Sequence, residues 1–143
     1  MTTARDLLRA RAQEVASLPP DATVLDAAQC MNERHIGSIL VVDEGTVVGI
    51  FTERDVLRRI VAAERSPRMT RVDAVMTAPV AAATPDTTLD ELRAVMRQQR
   101  IRHVPVIDNG KVCGMISIGD LNQVERDDQS RTIAYLEQYI SVS

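Results

Sequence analysis

The stretch Gly49-Ile50-Phe51-Thr52-Glu53-Arg54-Asp55 indicates a repeated fold, because a similar one, Gly114-Met115-Ile116-Ser117-Ile118-Gly119-Asp120, follows 65 residues later. In each copy, an apolar β-favouring run leads into the stretch and a helix-forming run leaves it, which predicts a strand that turns into a helix. Free N–H groups at a helix start favour an anion or a sugar-phosphate, and the final Asp can accept hydrogen bonds from a pair of hydroxyls. The repeated stretch therefore predicts a small-molecule binding module, with nucleotides as the expected ligands.

The repeat extends well beyond these two stretches. With a constant offset of 65 and no gap, residues 15–55 align with residues 80–120, and 13 of the 41 positions are identical. Unrelated pairs of ordinary composition match at about one position in fifteen, so the chain contains an internal duplication. Each half is predicted as β-α-β-β-α, which is too small to bury both faces of its own sheet. We therefore expect an α/β (α+β) fold in which two halves pack with pseudo-two-fold symmetry and form two related clefts.

The hydrophobic pattern predicts the same order of elements in both halves. In the first half we expect helices over 4–13, 23–34 and 53–64, an extended segment over 15–18, and strands over 36–42 and 47–51. In the second half we expect a helical turn over 71–76, an extended segment over 80–83, helices from 88 and from 118, and strands over 101–107 and 112–116. The expected units are a first repeat with its N-terminal helix (1–70), a second repeat (71–125) and an amphipathic C-terminal helix (126–143).

Composition excludes several classes of function. The chain has 143 residues, a net charge of −3 and only 2% aromatic residues, so a basic or aromatic nucleic-acid surface is not expected. No apolar run is long enough for a signal peptide core or a membrane span, and we expect a cytoplasmic protein without a membrane partner. Cys30 and Cys113 lack metal-ligand spacing and are predicted to be buried apolar residues, so no metal site is expected.

Two interpretations of the repeated motif stay open on the residues alone. Thr52-x-x-Asp55 and Ser117-x-x-Asp120 each fit a helix N-terminal capping box, which explains both residues structurally. Alternatively, Gly49 and Gly114 allow close backbone approach, and each Asp lies at the mouth of a cleft, where its carboxylate suits a ribose diol.

The duplicated motifs, together with the strand Arg102-His103-Val104-Pro105-Val106-Ile107-Asp108, resemble a tandem pair of cystathionine-β-synthase (CBS) domains, also called a Bateman module. The resemblance covers about residues 5 to 125, and the tail ending Tyr135-Leu136-Glu137-Gln138-Tyr139-Ile140 resembles that of stand-alone bacterial CBS-pair proteins. It implies ligands with an adenosyl group, namely AMP, ADP, ATP, NAD(H) or S-adenosylmethionine, bound between the repeats. It implies no required cofactor.

The resemblance also implies which residues line each cleft. The Asp would hold the ribose hydroxyls, and the Thr or Ser would lie near the phosphates. The first cleft would use Ile50, Thr52, Arg54, Asp55, Val80, Ala81, Arg102, His103 and Pro105. The second cleft would use Met115, Ser117, Gly119, Asp120, Val15, Ala16, Ile36, Gly37 and Ser38.

The two clefts are not expected to be equivalent. Where the second repeat has Arg102-His103 and Pro105, the first has Gly37-Ser38 and Leu40. The second cleft therefore lacks two potential phosphate donors, and we expect the first cleft to bind a charged nucleotide more tightly.

The leading hypothesis is an adenosyl-ligand-binding regulatory module that has no catalytic activity. It would form a homodimer through the helices that flank the repeats, with the C-terminal helix packing within or between subunits, and it would act on a protein partner that the sequence does not identify. The chain has no P-loop, nucleophile elbow or metal-ligand spacing, which argues against an enzyme. The alternative is a dimerisation or scaffold protein whose clefts are vestigial.

Overall fold

A computed structural model describes residues 1–9 and 14–127 and confirms the mixed α/β fold of two tandem repeats. The helices are α1 (Ala4–Arg9), α2 (Val24–Arg34), α3 (Glu53–Asp55, continued by the π-helix Val56–Val61), α4 (Leu89–Gln99) and α5 (118–127), with a 3₁₀ turn at Val72–Ala74. The strands are β1 (Ser17–Leu18), β2 (Ser38–Asp43), β3 (Thr46–Thr52), β4 (His103–Asp108) and β5 (Lys111–Ser117). The predicted C-terminal helix lies outside the described residues from residue 128 onward.

The two sheets show the duplication in their local geometry. β1 pairs parallel with β2, which pairs antiparallel with β3, and β4 pairs antiparallel with β5. Both hairpins close through two residues of positive φ, Glu44-Gly45 (49° and 81°) and Asn109-Gly110 (51° and 79°), as tight hairpin turns require. The strand register of both hairpins also shifts at one point, between Val41 and Val42 in the first and between Val106 and Ile107 in the second. Each of these features recurs at the offset of 65.

The second sheet is smaller because of one proline. In the first repeat, the Leu40 N–H donates to the Ala16 carbonyl (3.1 Å), which joins β1 to β2. The equivalent of Leu40 is Pro105, which has no N–H to donate. Ala83 still forms a parallel bridge, donating to the Pro105 carbonyl (2.9 Å) and accepting from the Ile107 N–H (2.8 Å). The predicted extended segment of the second repeat is thereby reduced to a single bridge.

Helices α2 and α4 begin and end as their sequences predict. Thr23 and Asp26 form a reciprocal capping box at the start of α2, and the Thr88 hydroxyl accepts the Glu91 N–H at the start of α4. Both helices end in a left-handed residue, His35 (φ 55°) and Arg100 (φ 56°), again 65 positions apart. The equivalent ends place the following strands alike in both repeats.

The predicted α-helix over 53–64 differs in type from the structure. Only Glu53–Asp55 is α-helical, and Val56–Val61 is a π-helix, in which the Ala62 N–H donates to the Leu57 carbonyl (2.9 Å). Three β-branched residues within these six positions weaken the preference for a regular α-helix. The π-helix buries Ile60 in the core.

Each repeat has its own core, and the segment leading into one repeat packs on the core of the other. Helix α1 precedes the first repeat, yet Ala4 and Leu7 belong to the core of the second. The 3₁₀ turn precedes the second repeat, yet Val72 and Val75 belong to the core of the first. Backbone bonds fix both crossings, because Ala4 donates to Thr87 (2.8 Å) and Val72 to Ala22 (2.7 Å). The crossed lead-in segments tie the two repeats into one unit.

Candidate functional site: a cleft between the repeats

A cavity of about 680 Å³, here called the central cleft, lies between the two repeats. One wall comes from the end of β3 and the start of α3, and the other from the segment that joins α4 to β4. Its lining residues are Ile50, Thr52, Glu53, Arg54, Asp55, Leu57, Arg58, Arg59, Thr77, Gln99, Arg100, Ile101, Arg102 and His103. Because both repeats contribute, a ligand bound here would contact both.

Asp55 is a buried carboxylate at the base of this cleft. Its Oδ2 accepts the Thr52 N–H (3.0 Å), and the Thr52 hydroxyl accepts the Asp55 N–H (3.3 Å). The Thr77 hydroxyl lies 3.2 Å from Oδ1, and Arg59 Nε lies 3.6 Å from the same oxygen. Thr77 is held in place by paired backbone bonds with Ile50 (3.0 and 2.8 Å).

These contacts confirm the capping interpretation of Asp55 and leave room for a second role. Oδ2 accepts from both Thr52 donors and lies 3.4 Å from the Thr77 hydroxyl, whereas Oδ1 has that hydroxyl at 3.2 Å and one guanidinium beyond hydrogen-bond distance. A carboxylate oxygen can accept about two hydrogen bonds, so Oδ1 has capacity for a ligand hydroxyl.

Arginines from both repeats line the central cleft. Arg54 reaches across the repeats and donates from Nη1 to the Arg100 carbonyl (3.0 Å). His103 is half-buried, and this burial lowers the pKa of its imidazole, while the carboxylates of Glu53 and Asp120 act in the opposite direction. The imidazole is therefore mainly neutral at pH 7, when it can either donate or accept a hydrogen bond.

The structure brings together six of the nine residues predicted for the first cleft. Ile50, Thr52, Arg54, Asp55, Arg102 and His103 all line the central cleft. Val80 and Ala81 are half-buried and Pro105 is buried, and these three do not line it. Sequence reasoning missed Thr77, Arg58, Arg59, Gln99 and Arg100. Arg58 and Arg59 could have been predicted from the sequence, because they follow Asp55 by three and four positions, about one helical turn.

The residues predicted for the second cleft are more dispersed. Ser117 and Asp120 form the same reciprocal pair as Thr52 and Asp55, with the Ser117 N–H 2.7 Å from Asp120 Oδ2. Ile36 and Gly37 line a separate cavity of about 470 Å³, here called the α2 cavity. Ala16 and Ser38 are buried, Val15 and Met115 are half-buried, and Gly119 is exposed.

Two sequence expectations need correction. The space beside Gly49 and Gly114 is filled by protein, because a Cβ at Gly49 would overlap the Met76 side chain and one at Gly114 would lie 2.5 Å from Leu8 Cδ2. These glycines therefore admit the crossed lead-in segments, and not a ligand. Cys113 is exposed on β5 instead of buried, while Cys30 is partly buried against the first core.

The two repeats and the cleft that they share define a module of paired domains. The chain belongs to the CBS-domain family, since the family model for the CBS domain matches residues 4–62 and 72–126. No helix among residues 1–9 and 14–127 is long and apolar enough to cross a bilayer.

Relatives and solved structures agree with this assignment. The mitochondrial CBS domain-containing protein CBSX3 of Arabidopsis thaliana is 36% identical over 126 residues, which are 82% of this chain and 61% of that protein's length. A CBS-domain protein from Burkholderia ambifaria is 42% identical with a TM-score of 0.86, covering 90% of this chain and 96% of that one. A CBS domain pair solved with 5′-methylthioadenosine and S-adenosyl-L-methionine shares the fold, with 24% identity and a TM-score of 0.80 over 90% of this chain and 98% of that one.

Proposed function

We propose that this chain is a regulatory module that binds an adenosyl ligand in the central cleft and carries out no catalysis. AMP is the ligand we favour, with ADP, ATP and NAD(H) as related candidates. The observation that carries the proposal is the buried Asp55 carboxylate facing Arg102 and His103 of the other repeat across one cavity. The CBS pair solved with 5′-methylthioadenosine and S-adenosyl-L-methionine supports an adenosyl ligand for this fold.

In the proposed complex the ribose lies against Asp55. Oδ1 accepts a ribose hydroxyl without breaking the Thr52 capping contacts, which use Oδ2. Arg54 and Arg102 then face the phosphate, where a guanidinium can donate two parallel hydrogen bonds to phosphate oxygens. A phosphate beside the half-buried His103 would stabilise the imidazolium and attract a proton.

Regulation would follow from linkage between ligand binding and the arrangement of the repeats. A ligand that contacts both walls stabilises the arrangement that brings them together. At a ligand concentration 100 times the dissociation constant, this adds about 2.7 kcal/mol of stability to the bound arrangement. A partner that binds one arrangement would thereby respond to the adenylate concentration.

We further propose that the second cleft, between the Ser117–Asp120 motif and the start of β2, binds the same class of ligand more weakly. Gly37 and Ser38 stand there in place of Arg102 and His103, so the charged donors are absent.

A homodimer through α3 is the proposed assembly. Leu57 and Val61 are 61% and 64% exposed on its π-helical continuation, which is unusual for large apolar side chains placed so close together. The same observation favours the second candidate function, a dimerisation or scaffold protein without ligand.

Isothermal titration calorimetry tests the proposed ligand. The protein would be titrated with AMP, ADP, ATP, NADH and S-adenosylmethionine, and the best ligand repeated on Asp55→Ala, Asp120→Ala and Asp26→Ala. Asp26 is the matched control because it occupies the same capping position as Asp55 but lies on α2, away from the central cleft.

We expect Asp55→Ala to abolish binding at the tighter site and Asp26→Ala to leave it unchanged. If folded wild type, free of carried-over ligand, releases no heat with any of these compounds, the scaffold function replaces the nucleotide sensor.

A further inference from the structure

A second cavity beside the central cleft is lined by an unusual number of arginines. This cavity, here called the α4 cavity, has a volume of about 450 Å³ and lies against α4 and the starts of β4 and α5. Five of its eight lining residues are arginines, namely Arg54, Arg93, Arg97, Arg100 and Arg102. None of the eight is acidic, although the chain has a net charge of −3.

The internal duplication supplies a control for this observation, because the α2 cavity is the same cavity in the first repeat. The two volumes, about 450 and 470 Å³, are nearly equal, and a Met and an Ile are retained at equivalent positions. All the remaining equivalent lining positions differ in residue type. Ala28, Asn32, His35 and Gly37 of the α2 cavity correspond to Arg93, Arg97, Arg100 and Arg102 of the α4 cavity.

The difference between the two cavities is therefore one of charge and not of shape. Four arginines are gained, and the acidic Glu53 of the α2 cavity is replaced by the apolar Ile118. Grouping like charges around one cavity is electrostatically unfavourable unless an anion neutralises them.

We propose that the α4 cavity is a binding site for a polyphosphate group. The guanidinium fork matches phosphate oxygens, and several arginines around one small cavity suit a group with several adjacent charges. Such a group is also small enough for a cavity of this size.

The arginines divide into positioned and available groups. Arg93 is held by the Leu121 carbonyl (2.9 Å) and by Glu125 (3.4 Å), and Arg54 is held by the Arg100 carbonyl (3.0 Å). Arg97, Arg100 and Arg102 make no side-chain ion pair with residues 1–9 or 14–127. Their guanidinium groups can turn toward a bound anion without breaking a described ion pair.

Two sources could supply the polyphosphate group. The α4 cavity and the central cleft share Arg54, Arg100, Ile101 and Arg102, so the terminal phosphates of a nucleotide in the cleft could extend into the cavity. This first source rests on the proposed nucleotide function. The second source, free inorganic polyphosphate, does not.

The test uses inorganic tripolyphosphate, titrated calorimetrically into wild type, Arg97→Glu and Arg68→Glu. Arg97 lines the α4 cavity but not the central cleft, and the exposed Arg68 lines neither. Both variants replace an arginine with a glutamate and therefore change the net charge equally. We expect Arg97→Glu to weaken binding at least about tenfold, because a charge-assisted contact is lost and a repulsion added. Arg68→Glu should change it less than about twofold, as expected for a screened surface charge.

Titrations of AMP and ATP on the same variants identify the source. If Arg97→Glu weakens ATP but not AMP, the group is the tail of a bound nucleotide, and if it weakens tripolyphosphate alone, the group is free polyphosphate. The proposal is overturned if neither tripolyphosphate nor ATP distinguishes Arg97→Glu from Arg68→Glu. Because tripolyphosphate needs no nucleoside site, failure of AMP to bind would count against the proposed function and not against this one.

Discussion

Asp55 caps the start of α3, and we have proposed a second role for it in binding a ligand. Its Oδ2 accepts from both Thr52 donors, and the Thr77 hydroxyl lies 3.2 Å from Oδ1 and 3.4 Å from Oδ2. Asp26 forms the same box at the start of α2, but it is exposed, and within residues 1–9 and 14–127 its carboxylate hydrogen-bonds only with Thr23. Comparing Asp55 with Asp26 therefore separates the contribution of the helix cap from that of the Thr77 contact.

Asp55→Ala should destabilise the protein by about 2 to 3 kcal/mol, because it leaves the Thr52 N–H and the Thr77 hydroxyl without their partner in a partly buried site. Asp26→Ala should cost about 1 kcal/mol or less, since water can replace the lost cap. Urea denaturation followed by circular dichroism measures both. Equal losses in the two variants would show that the Thr77 contact adds no stability beyond that of the helix cap.

His103 should make stability depend on pH. Burial lowers the pKa of its imidazole below the ordinary value of 6.5, so the unfolded chain takes up this proton at a higher pH than the folded protein. The unfolded state then binds more protons in this window, and stability should fall as the pH drops below about 6.5.

Urea denaturation at about pH 7.5 and 5.5 tests this expectation. The loss of stability between these values should be smaller in His103→Gln, which cannot take up the proton. An identical loss in wild type and variant would mean that other groups cause the pH dependence.

Among the elements, the crossed lead-in segments explain the repeated glycines of the β3 and β5 strands. The Met76 side chain packs against Gly49, and the Leu8 side chain packs against Gly114. Each glycine therefore lies where a lead-in segment crosses a strand. The two contacts are related by the same pseudo-symmetry as the cores.

Gly49→Ala should therefore destabilise the protein by about 1 to 3 kcal/mol, because the new methyl group overlaps Met76. Gly119→Ala is the matched control. A Cβ there would lie 3.5 Å from Ser117 Oγ, an ordinary contact, and alanine favours the helix, so stability should hold or rise by up to about 1 kcal/mol. Chemical denaturation compares the two, and a neutral Gly49→Ala would contradict the crossing contact.

Local signals in the sequence were enough to predict most elements. Capping residues located α2 and α4, and the Asp-Glu-Gly and Asp-Asn-Gly turns located both hairpins. Contacts between distant residues could not be predicted in this way. The Thr77 hydroxyl contacts Asp55 across 22 positions, and the partners of Gly49 and Gly114 come from the lead-in segments. Contacts of this kind produce no periodic pattern in the sequence. The π-helix was missed because its apolar spacing resembles that of an α-helix.

At the scale of the whole molecule, the crossings make the two repeats depend on one another. Leu7 lies in the second core although it precedes the first repeat, and Val72 does the reverse. Unfolding of either core therefore frees the lead-in segment of the other repeat, because that segment packs on it.

Leu7→Ala should lower the free energy of unfolding by about 2 to 4 kcal/mol, as expected for a buried leucine, and unfolding should stay a single transition. Native-state hydrogen exchange checks the second point. Protection of β2 and β4 amides should fall together, whereas loss confined to β4 would show that the repeats unfold independently.

The charge difference between the repeats was visible in the sequence, but its full extent was not. Arg102 and His103 against Gly37 and Ser38 predicted one preferred cleft. Only the fold shows that Arg93, Arg97 and Arg100 join Arg102 around one cavity, because they come from a helix face and its C-terminal cap.

A crystal structure of the protein grown with saturating AMP would show whether the central cleft binds a nucleotide and which residues hold it. We expect AMP in the central cleft, with its ribose hydroxyls within hydrogen-bond distance of Asp55 and its phosphate near Arg102 and His103 of the other repeat. A central cleft without nucleotide under these conditions, or AMP bound to one repeat alone away from Asp55, would contradict it.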